Sequence, residues 1–133
     1  MIPRILVVDD DAELLDTLKR ILEMAGYEVL TAGGGHQASR ILNSMVIHLV
    51  VTDIIMEDKD GLSLIREIRA LHPDTRIVAI SGGGLNPADS YLPAALSLGA
   101  NATFTKPLPI PLFLETVKKW VGSGSPLAPP LAH

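Results

Sequence analysis

The stretch LVVTDIIMEDKDG, residues 49–61, decides the fold, because a run of β-branched and aliphatic residues ends directly on a carboxylate. The run at residues 49–52 has the composition of a strand buried on both faces, and such strands occur in parallel sheets covered by helices. Asp53 then places a charge at the end of this strand, with no basic residue beside it. Burying an unpaired carboxylate is costly, so we expect its counter-charge to come from elsewhere in the fold.

The rest of the chain repeats this pattern, because short apolar runs alternate with amphipathic stretches at helical spacing. Strands are predicted at Ile5–Asp9, Glu28–Ala32, Leu49–Asp53, Ile77–Ser81 and Ala102–Thr105. Helices are predicted at 12–25, 35–44, 61–71, 92–98 and 110–121. This alternation predicts an α/β fold, a doubly wound five-stranded parallel sheet with helices on both faces and the strand order 2-1-3-4-5.

The composition limits the class of protein. The 133 residues suit one domain, and 47% hydrophobic with only 4% aromatic residues indicates an aliphatic core. A net charge of −4 argues against a general nucleic-acid binder, and the lack of cysteine excludes disulfides and thiolate metal sites. No apolar run approaches the roughly 20 residues that span a bilayer. We expect a soluble cytoplasmic domain over residues 1–121, followed by a flexible Gly-, Ser-, Pro- and Ala-rich tail over 122–133.

Polar residues stand at the predicted strand ends. Strand 1 ends in Asp9–Asp11, strand 3 in Asp53, strand 4 in Ser81, and Lys106 follows strand 5. In the order 2-1-3-4-5, strands 1 and 3 are neighbours at the switch point where open α/β sheets bind ligands. Clustered carboxylates repel one another unless a cation lies between them, and Mg²⁺ needs only oxygen ligands. A carboxylate can also attack phosphorus, with charge stabilisation from a metal and a lysine.

The residues resemble the receiver domain of two-component response regulators, a CheY-like fold, over nearly the whole chain to about Val121. The likeness rests on VVDDD after strand 1, D-x-x-M-x-x-x-D-G at Asp53–Gly61, Ser81 after strand 4 and Lys106-Pro107 after strand 5. These motifs are weak one by one. Together, in the family's order and on the correct strand ends, they are specific.

The resemblance implies a role for each of these residues. Asp53 would be the phosphoacceptor, supplied by a histidine kinase or a histidine phosphotransfer protein. Mg²⁺ would be held by Asp9, Asp10, Asp53 and the backbone carbonyl of Ile55. Lys106 would pair with the phosphoryl oxygens and Ser81 would hydrogen-bond the phosphoryl group, while a cis peptide bond would precede Pro107.

The resemblance also implies a signalling domain whose only chemistry is self-catalysed phosphoryl transfer and autodephosphorylation. Residues 122–133 are not expected to form an output domain, so we expect control through protein–protein contacts or relay to a second histidine protein, without direct DNA binding and without a membrane. Apolar residues around helix 4, strand 5 and helix 5 fit a homodimer surface and core packing equally well.

Four features depart from the family's pattern. Thr103 stands where the family usually has an aromatic residue, and Phe104 is expected on the opposite face of the strand. Glu57 replaces a common proline. Ile55 is apolar where many relatives are polar, so we hypothesise that it obstructs the attacking water and prolongs the life of the phosphoryl group. A long glycine-rich segment follows Ser81, and helix 4 is expected to begin only around Leu92.

Two other functions have support in the sequence. GGGHQA at Gly33–Ala38 follows a strand, opens a helix and fits the dinucleotide fingerprint G-x-G-x-x-A, with an acid 20 residues beyond Gly33. Against it, this motif follows the second strand and leaves the strand-1 acids unexplained. The other alternative is a receiver-shaped scaffold that is never phosphorylated.

Several polar residues have simple structural interpretations. Asp11 is predicted to cap helix 1, and Asp58 and Asp60 to be loop and cap residues leading into helix 3. The four histidines have no ligand spacing: His36, His48, His72 and His133.

Overall fold

The computed structural model describes residues 2–82 and 91–122, in which five strands alternate with five helices. The strands are β1 (Arg4–Val8), β2 (Glu28–Ala32), β3 (Leu49–Asp53), β4 (Arg76–Ser81) and β5 (Ala102–Thr105). The helices are α1 (Ala12–Met24), α2 (Gly35–Ser44), α3 (Gly61–Leu71), α4 (Tyr91–Leu98) and α5 (Ile110–Val121). Each predicted element is present, and the strand and helix ends differ from the prediction by one residue at most.

The strands form one parallel sheet in the order β2-β1-β3-β4-β5, as predicted. The central strand β3 is buried along its whole length, which explains its continuous apolar run. β1 pairs directly with β3, with Ile5 opposite Leu49 and Val8 opposite Thr52. Their carboxyl ends, and the acidic residues that follow, therefore meet at the same edge of the sheet.

Two apolar clusters cover the two faces of the sheet, because successive strand residues point in opposite directions. On β1, Leu6 and Val8 belong to the cluster under α2, α3 and α4, while Ile5 and Val7 belong to the cluster under α1 and α5. The first cluster also contains Leu42, Leu64, Ile65, Ile68 and Ala95. The second also contains Leu18, Leu22, Phe113 and Val117.

The helix ends follow the capping rules. The Asp11 side chain accepts hydrogen bonds from the amides of Glu13 (3.0 Å) and Leu14 (3.3 Å), which confirms it as the cap of α1. Gly26 has φ 99° just beyond α1, a conformation that residues with a Cβ rarely adopt.

The end of α5 is hydrogen-bonded to the residue that precedes the edge strand β2. The Tyr27 hydroxyl, just before β2, donates a 2.6 Å hydrogen bond to the carbonyl of Gly122, just after α5. Phe113 of α5 packs edge-on against Phe104 of β5, with ring centroids 5.9 Å apart. The last helix is therefore joined to the second strand as well as packed under the sheet. The glycine-rich segment after Gly82 and the proposed tail after Gly122 lie outside the described residues.

Candidate functional site

Three carboxylates meet at the carboxyl edge of the sheet. Asp9 and Asp10 follow β1, and Asp53 ends β3; one oxygen from each lies within 4.8 Å of the others. Asp9 and Asp53 are buried, with exposed fractions of only 2% and 6%, while Asp10 is exposed. The structure thus brings together the three acids that the sequence placed on two neighbouring strands.

Lys106 supplies the positive charge of the site. Its ammonium group lies 2.9 Å from a carboxylate oxygen of Asp9 and 3.7 Å from one of Asp53. The Lys106 amide donates to the Ser81 carbonyl (2.8 Å), and the Lys106-Pro107 peptide bond is cis, as expected. The counter-charge for Asp53 therefore comes from the end of β5, the edge strand of this half of the sheet.

The charges of the site are tuned by burial and by one another. Burial, and then the negative charge of Asp9, raise the pKa of Asp53 to about 6 from its ordinary 3.8, although Lys106 opposes this rise. Burial alone would lower the pKa of Lys106, but its hydrogen bond to Asp9 and the charge of Asp53 raise it overall. Asp53 is thus ionised at neutral pH at a cost that a further cation would relieve.

Ser81 ends β4 beside this cluster. Its side chain is 1% exposed, and its hydroxyl oxygen has no hydrogen-bond partner among the described residues. A buried hydroxyl is normally satisfied, and an unsatisfied one costs about 1–3 kcal/mol. The Ser81 hydroxyl is therefore free to donate to a polar group that binds beside it.

The position of Asp53 depends on a close approach by α3. The amide of Gly61 donates a 2.7 Å hydrogen bond to the carbonyl of Ile54, and a Cβ added to Gly61 would lie 2.2 Å from the Asp53 carbonyl oxygen. On the other side, Ile54 donates to the Ile80 carbonyl (3.0 Å) of β4. The glycine of the D-x-x-M-x-x-x-D-G motif is therefore required because no side chain fits between α3 and the end of β3.

The donor set fits a hard divalent cation. Three carboxylate oxygens lie close enough to share one ion, and no histidine or cysteine belongs to the group. Mg²⁺ prefers one or two carboxylates together with waters and phosphate oxygens. A positive ion here would also offset the burial that raises the pKa of Asp53.

The departures from the family's pattern have clear places in the structure. Thr103 pairs with Ala79 and Phe104 with Ile80, and these two partners lie in the clusters on opposite faces of the sheet. Phe104 therefore points to the face opposite Thr103, as predicted, and this is the side covered by α1 and α5. The Ile55 side chain is 54% exposed and lines a groove of about 410 Å³ with Leu62 and Tyr91.

One contact of the site region was not predicted. Asp60 caps α3 as expected, with the amide of Ser63 donating to it (2.8 Å), but Asp58 turns back and caps α2. The amides of Gly35 and His36 each donate a 3.1 Å hydrogen bond to its carboxylate, and these bonds lower the pKa of Asp58. The only sequence signal was indirect: α2 begins with glycines and has no capping side chain of its own.

This contact also removes the basis of the dinucleotide hypothesis. In that fingerprint, amides at the start of the helix bind the pyrophosphate. Here the amides of Gly35 and His36 already donate to Asp58, and a Cβ on Gly34 would lie 2.7 Å from the same carboxylate. The glycines of GGGHQA make room for the loop after β3, and the motif follows an edge strand.

The comparisons with known proteins agree on one family. The model of the response regulator receiver domain matches residues 5–118. The chain is 38% identical over 104 residues to the transcriptional regulatory protein CpxR of Klebsiella pneumoniae, covering 78% of this chain and 43% of that protein. It is 34% identical over 116 residues to the transcriptional regulatory protein PrrA of Mycobacterium bovis, covering 87% and 48%. The chain thus spans less than half the length of these relatives.

Solved structures agree with this result. A CheY-like response regulator receiver domain protein of Methanospirillum hungatei has a TM-score of 0.81 at 30% identity, covering 90% of this chain and 93% of that one. The response regulator TrrA of Thermotoga maritima, solved in complex with Mg²⁺ and BeF, has a TM-score of 0.78 at 32% identity, covering 89% and 98%. In the described part of the chain, no helix has the length and apolar character that crossing a bilayer requires.

Proposed function

Because this chain belongs to the response regulator receiver domain family of two-component systems, we propose that it accepts a phosphoryl group on Asp53. The donor is a phosphohistidine of a histidine kinase or a histidine phosphotransfer protein. An Asp53 carboxylate oxygen attacks phosphorus, the phosphorus–nitrogen bond of the donor breaks, and an acyl phosphate forms. Hydrolysis of this acyl phosphate by water later restores the carboxylate.

The observation that carries this proposal is the convergence of three carboxylates, one ammonium and one unpaired hydroxyl at the ends of four strands. Asp9, Asp10, Asp53 and the carbonyl of Ile55 would hold Mg²⁺, which would neutralise charge on the phosphoryl oxygens. Lys106 already lies near Asp53 and would pair with a phosphoryl oxygen. Ser81 would donate its unpaired hydroxyl to another. The Ser81 hydroxyl would then gain the partner that it lacks among the described residues.

The test is incubation with acetyl phosphate and Mg²⁺, followed by intact mass measurement. We expect one phosphoryl adduct on the wild type, none on Asp53→Asn, and an undiminished adduct on Asp60→Asn. Asp60 is the matched control because it lies in the loop that follows Asp53 and caps α3 instead of joining the acidic cluster. An adduct that persists on Asp53→Asn would refute the proposed phosphoacceptor.

Phosphorylation would be transmitted by contacts with other proteins. Ser81 is the last residue of β4, so a shift of its hydroxyl toward the phosphoryl group would move the end of that strand. Leu96 of α4 and Leu112 of α5 are 50% and 53% exposed, which supports a surface for a partner or a second copy of the chain. The relatives named above are transcriptional regulators, so the expectation of no direct DNA contact concerns this chain alone.

Ile55 would set the lifetime of the acyl phosphate. Its exposed side chain follows Asp53 by two residues and offers no hydrogen bond to an attacking water. We expect the isolated phosphoprotein to last for minutes or longer, and Ile55→Asn to shorten that lifetime several-fold. Loss of phosphate from the purified phosphoprotein, followed over time by mass, measures both. Loss from the wild type within seconds would contradict this role.

The competing scaffold hypothesis predicts a different response to beryllofluoride, which mimics the acyl phosphate. A working site binds it with Mg²⁺ and shifts the amide resonances around Asp53 and Ser81. A scaffold that is never phosphorylated leaves the spectrum unchanged. The intact set of acids and lysine supports the working site.

A further inference from the structure

The loop that joins β3 to α3, residues 54–60, has little backbone hydrogen bonding of its own. Its ends are fixed, since Ile54 donates to Ile80 and Gly61 donates to Ile54. Within the described residues, the backbone groups of residues 55–59 make no hydrogen bond to another backbone group. Met56 is buried in the apolar cluster and holds the first half of the loop. The second half, from residue 57, must be held by side chains.

Asp58 is the first of these side chains. One carboxylate oxygen accepts the Gly35 amide at 3.1 Å and the Lys59 amide at 2.8 Å, and the other accepts the His36 amide at 3.1 Å. The acidic loop is thereby joined to the positive end of α2, a helix that has no cap from its own preceding residue.

Lys59 is the second. Its ammonium group donates to the Ser39 hydroxyl of α2 at 3.1 Å and also bonds the Glu67 carboxylate of α3. Both charged side chains are only about one fifth exposed, at 19% and 20%. Lys59 thus connects the two helices on either side of the loop.

The glycines at the start of α2 fit closely against this pair. A Cβ on Gly35 would lie 2.7 Å from the Lys59 Cβ and 2.9 Å from the Lys59 carbonyl oxygen. The clash at Gly35 involves atoms close to the backbone, which cannot move away without moving the loop. The contact between the loop and α2 therefore requires both the small residue at Gly35 and the loop side chains of Asp58 and Lys59.

From these contacts we infer that Asp58 and Lys59 form a clamp that sets the position of the second half of the loop against α2, and that this clamp and the buried Met56 together set the position of the Ile55 carbonyl proposed to bind Mg²⁺. Asp58 is a positioning residue, because it acts through the loop and contributes no oxygen to the acidic cluster. The inference deepens the proposed function, since it rests on the Mg²⁺ site proposed there. Groups that orient metal ligands typically contribute about ten-fold or more to metal affinity.

The test is the dissociation constant for Mg²⁺, measured by calorimetry on the full chain at neutral pH. We expect Asp58→Ala to weaken Mg²⁺ binding by about ten-fold. Gly35→Ala should weaken it similarly, because it displaces Lys59 from the other side of the contact. Asp58→Asn should weaken it less than Asp58→Ala does, since the one amide oxygen of asparagine can still accept from Gly35 and Lys59, while its NH2 group cannot accept from the His36 amide.

Thr75→Ala is the matched control for loss of stability alone. The Thr75 hydroxyl donates to the Ile47 carbonyl at 2.9 Å, and Thr75 lies just before β4, at the sheet edge opposite the acids. This variant should unfold at lower urea concentration yet keep the wild-type affinity for Mg²⁺. Wild-type affinity in Asp58→Ala, or an equal loss in Thr75→Ala, would overturn the clamp.

The clamp and the proposed function fail in different ways. If the wild type forms the Asp53 adduct while Asp58→Ala binds Mg²⁺ normally, only the clamp is wrong. If Asp58→Ala weakens Mg²⁺ binding but the wild type forms no adduct, the clamp stands and the phosphoacceptor role is wrong. A wild type that binds no Mg²⁺ removes both.

Discussion

Asp9 and Asp53 are neighbouring buried carboxylates with different partners. Asp9 accepts a hydrogen bond from the Asp11 amide (2.9 Å) with one oxygen and from the Lys106 ammonium (2.9 Å) with the other. Asp53 is 3.7 Å from Lys106, which is attraction without a hydrogen bond. Asp9 thus binds the Lys106 ammonium group directly. The Asp53 carboxylate has no hydrogen bond from Lys106, and its raised pKa shows that ionising it costs free energy.

This cost predicts a pH-dependent stabilisation by Asp53→Asn in metal-free protein. The pKa of Asp53 is raised in the folded state to about 6 from 3.8, so its contribution to stability is complete below about pH 3.8 and is lost as pH rises through about 6. We expect Asp53→Asn to be more stable than the wild type at pH 7 by about 1–2 kcal/mol, a value reduced for solvent screening. Near pH 4 the two proteins should be nearly equal.

Urea denaturation in the presence of a chelator, at several pH values, measures this difference. Adding Mg²⁺ should stabilise the wild type selectively and reduce the advantage of the variant at pH 7. An advantage that is the same at pH 4 and pH 7 would show that ionisation of Asp53 is not its cause.

Ser81→Ala is expected to separate stability from activity. Removing the unpaired buried hydroxyl should raise the free energy of unfolding by about 1 kcal/mol, because an unsatisfied group is lost. Phosphorylation by acetyl phosphate should slow by about ten-fold or more, since one donor to the phosphoryl group is missing. Urea denaturation and the rate of adduct formation give the two values. Ser63→Ala, which removes a hydroxyl already bonded to Asp60, is the control and should not slow the reaction.

At the scale of the elements, the position of the carboxyl end of β3 depends on how closely α3 approaches it. Gly61 permits this approach, and the loop between β3 and α3 is joined to α2 by the hydrogen bonds that Asp58 accepts from Gly35 and His36. Asp53 is therefore placed by α3 as well as by its own strand.

Gly61→Ala should destabilise the fold by about 2–3 kcal/mol, because the new Cβ would meet the Asp53 carbonyl at 2.2 Å. The same substitution at Gly82, where no atom of the described residues lies within 4 Å, should change the free energy of unfolding by less than about 0.5 kcal/mol. Urea denaturation of both variants gives the comparison. Equal effects would mean that the close approach has no energetic importance.

The helices and strands could be predicted from the sequence because the pattern of apolar residues that indicates each one is local. The period of apolar residues gave all ten elements to within one residue at each end, and the strand order brought Asp9, Asp53 and Lys106 to one edge. The contact of Asp58 with α2 could not be predicted, because its partners lie 22 and 23 residues away and it depends on the path of an irregular loop. The lack of a hydrogen-bond partner for the Ser81 hydroxyl could not be predicted from the sequence either, since it depends on how the neighbouring residues pack around it.

At the scale of the whole molecule, the sheet separates two apolar clusters and contributes residues to both of them. Alternate residues of the same strands, such as Val50 and Val51 of β3, belong to opposite clusters. Losing either cluster would leave one face of the sheet in water, so the two should unfold together.

The single tryptophan makes this testable. Trp120 packs against the α1 and α5 cluster, while Ile68 of α3 is fully buried in the other. Ile68→Ala should cost about 2–5 kcal/mol, and the urea midpoints from Trp120 fluorescence and from far-UV circular dichroism should fall together. Leu71→Ala, on the same helix but 60% exposed, should change little. A Trp120 midpoint that stays at its wild-type value would mean that the two faces unfold independently.

The hydrogen bond from Tyr27 to Gly122 has a practical consequence for handling the protein. It pins the end of α5 near the start of β2, whereas the carboxylates follow the ends of β1 and β3. In a parallel sheet these are opposite edges, about 17 Å apart for strands of five residues. A tether, dye or sensor surface attached at Gly122 should therefore leave Asp53, the proposed phosphoacceptor, turned toward the solution, and under the proposed function the immobilised protein should take up phosphoryl groups as readily as free protein.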